Sequence, residues 1–193
     1  MKEIETHPFE PFMPENARIL MLGTFPPAPK RWCMEFYYPN FQNDMWRIFG
    51  LIFFQDKDYF VVKGRKTFDI DKIIALLKER GIALFDTALR VCRTKNTASD
   101  KDLEIVQQSD LDAMLRQLEL CRAIVTTGQL ATSVVVAHFG ITSPKVGHFT
   151  DFVFEGRPMR LYRMPSSSRA YPMRVESKAE IYKSLLLSEF VSI

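Results

Sequence analysis

The stretch "ARILMLG", Ala17 to Gly23, is apolar except for Arg18 and is closed by a glycine. A strand with one wet face alternates polar and apolar residues; a continuous apolar run marks a strand covered on both faces. The same signature recurs in "IALFD", Ile82 to Asp86, and in "AIVTT", Ala123 to Thr127, with Gly128 at its exit. Amphipathic segments separate these runs. "NDMWRIFGLIFF" places Met45, Ile48, Phe49 and Ile52 at helical spacing behind Asn43 and Asp44, residue types that cap a helix start. "DIDKIIALLKER" predicts a helix from about Asp69 to Arg80, stopped by Gly81. "SDLDAMLRQLELC" and "QLATSVVVAHFG" flank the third run with helical patterns of their own.

Toward the end, "DFVFEG" and "RPMRLYRM" predict a hairpin whose second arm joins the sheet, and "ESKAEIYKSLLLSEF" predicts a closing helix. The polar stretch from Arg90 to Gln108 has no sustained periodicity and reads mainly as a long surface loop. Helices alternating with buried strands make the expected fold α/β, a parallel sheet covered on both faces. With 193 residues, 47% of them hydrophobic, the chain can build one sizeable core. Residues 1–193 are expected to form a single domain, with a Pro-containing N-terminal arm over 1–16.

Composition narrows the function classes. A net charge of +3 permits nucleic acid as a partner without requiring it, so any basic surface must be local. Cys33, Cys92 and Cys121 are odd in number and widely spaced, which argues against a disulfide framework and reads as small buried side chains in a reducing compartment. His7, His138 and His148 are the only histidines, and neither HxxxH nor CxxC spacing occurs, so no metal is expected. An early acid- and proline-containing N-terminus is unlike a signal peptide, and no apolar run reaches membrane-spanning length. The expectation is a soluble, cytoplasmic monomer without a cofactor.

In open sheets of this type ligands bind outside the carboxyl ends of the strands. Four stretches meet there. "GTFPP", Gly23 to Pro27, makes a stiff turn but lacks the lysine of a P-loop and the spaced glycines of a dinucleotide fingerprint. "FYYPNFQNDMW", Phe36 to Trp46, alternates rings that can stack on bases with amides that can hold a water or read an edge. The bland account is a capped helix with core aromatics. Asp86 ends the second run, and "MPSSSRAYP", Met164 to Pro172, precedes the last helix.

Taken together, "MLGTFPP", "YYPNFQNDMWRIF", "GIALFDTALRVCR" and "MPSSSRAYP" resemble the uracil-DNA glycosylase superfamily, and within it the hypoxanthine-DNA glycosylase branch. The resemblance follows the branch's Gly-Ser/Thr-x-Pro turn, its Tyr-Tyr-x-x-x-x-Asn-x-x-Trp segment, its Gly-Ile-x-Leu-x-Asp strand and its Pro-Ser-x-Ser segment. It implies a three-layer sandwich around a four-stranded parallel sheet with helices on both faces. It also implies DNA as partner, a flipped nucleotide as substrate and hydrolysis of the N-glycosidic bond of a deaminated base.

Residue by residue, the resemblance makes Asn43 the catalytic asparagine that positions a water. Asp86 would accept a hydrogen bond from a ring N–H, which uracil and hypoxanthine have and adenine and cytosine lack. Phe25 would stack on the base, backbone amides near Gly23 and Thr24 would hold its carbonyl oxygen, and Tyr37 and Tyr38 would wall the pocket. Pro165, Ser166, Ser167 and Ser168 would pinch the DNA backbone, with Arg169 at the wedge position. Lys30, Arg31, Arg47, Arg93 and Lys95 would supply phosphate contacts. The best-known superfamily members carry an Asp or Asn in the first turn and a His at the start of the last loop; this chain has Thr24, Phe25 and Pro26, and Met164. A glycosylase-fold nucleic-acid-binding module without catalysis is therefore the alternative, and an enzyme acting on free nucleosides or nucleotides a third.

Overall fold

The computed structural model describes residues 3–94 and 102–191. In chain order the strands are β1 (Ile4–Thr6), β2 (Ile19–Gly23), β3 (Ile82–Asp86), β4 (Ala88–Arg93), β5 (Leu103–Gln108), β6 (Ala123–Thr127), β7 (His148–Phe154) and β8 (Arg157–Met164). The helices are α1 (Met45–Phe54), α2 (Ile70–Arg80), α3 (Leu111–Gln117), α4 (Gln129–Phe139) and α5 (Val175–Val191).

The principal sheet is five-stranded and mixed, in the order β3-β2-β6-β8-β7. β2 runs parallel to both β3 and β6, and β6 parallel to β8. Every residue of β2, β3 and β6 is buried, as their unbroken apolar runs require. The expected four parallel strands are therefore accompanied by a fifth, β7, antiparallel to β8. Glu155 and Gly156 join the two, at φ 49° and 81°. That left-handed pair closes a tight hairpin, and pairing along its length brings the first arm into the sheet as well.

Local chemistry fixes the helix ends. The Asp69 side chain accepts the Lys72 N–H at the start of α2, and Gly81 ends that helix at φ 61°. Asp110 caps α3 in the same way through Ala113.

The Arg90–Gln108 stretch departs from the surface loop expected of it. β4 and β5 pair antiparallel, and β1 adds to β4, giving a second sheet in the order β1-β4-β5. The alternation was hard to read because β5 is mostly exposed and the β4–β5 register shifts at Arg90. The residues expected to be a plain arm are woven in: Ile4 pairs with Cys92, and Phe12 exchanges backbone hydrogen bonds with Leu84 on the outer edge of β3. This strap covers what would otherwise be an open sheet edge. Among the described residues no helix is long and apolar enough to cross a membrane.

Candidate functional site

A cleft of about 260 Å³ opens at the carboxyl ends of the parallel strands, lined by Gly23 from β2, Asp86 from β3 and Thr127 from β6. Its volume is at the lower end of ligand-pocket sizes, which suits a nucleobase-sized guest. Thr24, Phe25, Tyr37, Tyr38 and Asn43 line it, as do Ser166, Ser167, Ser168, Arg169 and Arg93. A more open groove of about 590 Å³ shares Phe25, Pro26, Pro27 and Arg93 with it but has none of Asn43, Asp86 or the serines. The smaller cleft is the one with chemistry in it.

Gly23 is required by a close approach. A Cβ there would lie 2.4 Å from Asp86 Oδ1, so any side chain would displace the carboxylate. Asp86 is 7% exposed, and among the described residues its side chain caps no helix. Its Oδ2 lies 2.9 Å from His7 Nε2, while its backbone carbonyl accepts the Ser109 hydroxyl at 2.7 Å. His7 enters from the strap, where no motif announced it.

Asn43 stands just before α1. Its side-chain oxygen accepts the Met45 N–H at 2.9 Å, so the helix start anticipated at Asn43 is made by its amide, with Asp44 as the flanking residue. Behind it Asp44 N–H donates to the Ser167 carbonyl, and Asn43 bridges Ser168, which ties the asparagine and serine loops together.

The Asp44 carboxylate holds Arg169 Nε at 3.0 Å and Lys178 Nζ at 3.1 Å, and the same ammonium donates to the Ser168 carbonyl at 2.8 Å. Lys178, wholly buried, was missed by the sequence reading. A signal existed: it shares the buried phase of α5 with Tyr182 and Leu186, where a lysine needs a partner.

Tyr37 is buried and donates its hydroxyl to the Glu10 carbonyl. Burial, and then the nearby Asp86 carboxylate, pushes its pKa well above the ordinary value. Its hydroxyl is thus already engaged and is not free for the cleft. Tyr38 has φ 51°, a left-handed conformation costing roughly 1–2 kcal/mol for a residue with a Cβ. The turn brings its hydroxyl to 3.1 Å from Thr127 Oγ1, so two hydroxyls stand together beside Gly23 and Asp86. Phe25, half-buried, has the His7 ring edge-on at 5.4 Å and the Arg93 guanidinium 5.6 Å from its centroid.

Several expected phosphate contacts have other occupations. Arg93 sits 2.8 Å from Glu5 and donates to the Pro26 carbonyl, bracing the first turn against β1. Arg47 is buried over the Phe41 and Phe68 rings and donates to the Phe41 carbonyl at 2.8 Å; burial lowers its pKa. Both are packed because their guanidiniums satisfy backbone carbonyls inside aromatic surroundings. Pro165 does not line the cleft, and its carbonyl accepts the buried Tyr182 hydroxyl. Arg31 is exposed at the rim, Lys30 is exposed beside it, and Lys95 lies outside the described residues. Cys92 and Cys121 are buried and Cys33 is half-buried; burial pushes the Cys33 thiol up, and that of Cys121 to about 11, away from nucleophilic use.

No family model matches the chain, and no curated protein matches it. Among solved structures it is similar to the solution structure of a protein from Methanosarcina acetivorans described as a candidate uracil DNA glycosylase. The TM-score is 0.63 at 21% identity, over 96% of this chain and 99% of that one. At that identity the likeness is one of fold.

Proposed function

We propose that the protein is a monofunctional DNA glycosylase that extrudes a deaminated base, hypoxanthine or uracil, and hydrolyses its N-glycosidic bond. The observation that carries this reading is convergence: Asn43, Asp86, Phe25 and Ser166–Arg169, distant in sequence, line one nucleobase-sized cleft. The fold likeness to a candidate uracil DNA glycosylase supports it. The reading takes residues 1–193 as one three-layer domain acting as a cytoplasmic monomer without a cofactor.

In this mechanism the extruded base stacks on Phe25 and gives its ring N–H to Asp86. The Asn43 amide holds a water beside the anomeric carbon, and its carbonyl dipole stabilises positive charge developing on the sugar. The glycosidic electron pair leaves with the base. Water oxygen bonds to the sugar, and its proton neutralises the departing base. The serine loop grips the backbone, and Arg169 at the cleft mouth fills the vacated stack.

Labelled duplexes containing deoxyinosine or deoxyuridine, treated with the protein and then alkali, are expected to be cleaved at the lesion. Asn43→Ala is expected to abolish turnover and leave DNA binding largely intact. No product from any lesion, in duplex or single strand, overturns the proposal. One observation favours a non-catalytic binding module instead: Asn43 already spends a side-chain acceptor site on Met45. Salt-dependent DNA binding without base release is the result that reading expects.

A further inference from the structure

His7 follows directly on β1 in the strap, and both its backbone and its ring are held. Its own N–H donates to the Leu89 carbonyl, fixing the backbone beside β4. The side chain is 1% exposed and sits among aromatic rings, with Phe85 at 4.6 Å, Phe25 at 5.4 Å, Phe9 at 6.0 Å and Tyr37 at 6.2 Å between centroids. Its two nitrogens have different neighbours. Nε2 faces Asp86 Oδ2 at 2.9 Å, and Nδ1 faces Phe9, whose carbonyl oxygen is at 2.9 Å and whose N–H is at 3.2 Å.

Opposite a carboxylate, the ring proton belongs on Nε2. A carboxylate only accepts, so the nitrogen opposite it must donate. A neutral ring then has a bare Nδ1 that accepts the Phe9 N–H; a charged ring has an Nδ1–H that donates to the Phe9 carbonyl. Phe9 serves either state, and in both Nε2–H points at Asp86. One oxygen of the aspartate is thereby anchored, and the other, Oδ1, is left over Gly23 on the floor of the cleft.

We propose that His7 is a positioning residue that anchors Asp86 as the fixed acceptor of the cleft, so that the site selects bases presenting a ring N–H beside a carbonyl, the lactam edge. The idea rests on the glycosylase reading above. Two neighbouring groups complete the recognition pattern. A point one bond above Gly23 is close to Asp86 Oδ1 and 3.8 Å from Thr127 Oγ1, so acceptor and hydroxyl both border the space over Gly23, and Tyr38 shares its hydroxyl with Thr127. A lactam meets this pair with N–H to Asp86 and C=O toward a hydroxyl. Adenine and cytosine present a ring lone pair where the lactam has N–H, which sets lone pair against carboxylate oxygen and leaves a buried acceptor unsatisfied.

The test compares single-turnover release of hypoxanthine and of its N1-methyl derivative, which lacks the ring N–H, from otherwise identical duplexes. The native protein is expected to prefer the N–H base at least about tenfold, the scale of a hydrogen bond to a charged group. His7→Phe keeps a ring in the aromatic cage but removes the donor, and is expected to lose most of that preference. His7→Gln, whose amide nitrogen can take the place of Nε2, is expected to restore it. A folded His7→Phe protein with the native preference overturns the proposal, because a merely packed ring would leave selectivity unmoved. Imidazole nitrogen NMR of the native protein gives a second reading that needs no variant: protonated Nε2 supports the proposal, and a neutral ring with its proton only on Nδ1 overturns it. Absence of release from every lesion by the native protein instead removes the glycosylase reading, and the selectivity argument with it.

Discussion

Two buried carboxylates, Asp44 behind the asparagine loop and Asp86 in the cleft, differ in what surrounds them. The side chain of Asp44 is 8% exposed and that of Asp86 is 10% exposed, so burial does not distinguish them. Asp44 has a cation on each oxygen, Arg169 on one and Lys178 on the other, and its side chain does not line the cleft. Asp86 lines the cleft, with one oxygen on an imidazole and the other over a glycine. The lesson is that a buried acid becomes a strut when both oxygens are matched by charge, and a reading head when one is left facing a space. Asp44 joins the asparagine loop, the serine loop and α5, whereas Asp86 keeps one oxygen toward the cleft.

If the contrast is right, the largest effect on stability belongs to the strut. Lys178→Met strands a buried carboxylate on one side, and urea denaturation is expected to show a loss of about 3–5 kcal/mol. A loss below about 1 kcal/mol would mean that Arg169 alone satisfies Asp44. The reading head should answer differently. Asp86→Ala is expected to lower kcat/KM for base release by about 10–100-fold, the range for a hydrogen bond to a charged group, with the fold retained by circular dichroism. Equal damage to stability from both substitutions would erase the distinction.

Arg169 belongs to both accounts, since it pairs with Asp44 and is half exposed at the cleft mouth. Arg169→Ala is expected to slow release from duplex DNA about tenfold while leaving single strands nearly unaffected, as measured by matched single-turnover assays. Equal loss on both substrates would make the arginine a strut component only.

The smallest effect concerns Tyr37, beside Asp86. Tyr37 is held above its ordinary pKa by burial first and then by that carboxylate. An unfolded tyrosine ionises near pH 10, so the folded state keeps its full contribution below that pH and loses it as pH rises further. Tyr37→Phe removes that ionisation, and the decline of stability between about pH 10 and 11 is expected to become shallower, read from urea unfolding at each pH. An unchanged decline would show that Tyr37 ionises as readily in the folded chain as in the unfolded one.

Much of this architecture is written locally. The unbroken runs at Ile19–Gly23, Ile82–Asp86 and Ala123–Thr127, the Asp69 cap and the Gly81 stop each depend on neighbours within a turn or two, and each appears where its residues predict. The four strand-end stretches were legible for the same reason, because a strand's end dictates where its loop must stand. The β1-β4-β5 sheet was not, since its strands are short, half exposed and paired across the chain.

The partners of the buried charges were beyond any local window. Asp86 finds its histidine 79 residues away, and Asp44 its lysine 134 residues away. Sequence by itself determined which residues stand at the carboxyl ends of the strands, through periodicity and turn chemistry. Tertiary structure alone decided what each does there. The environment of a buried group depends on where distant segments return to pack, and desolvation forces every such charge to find a partner or face a ligand.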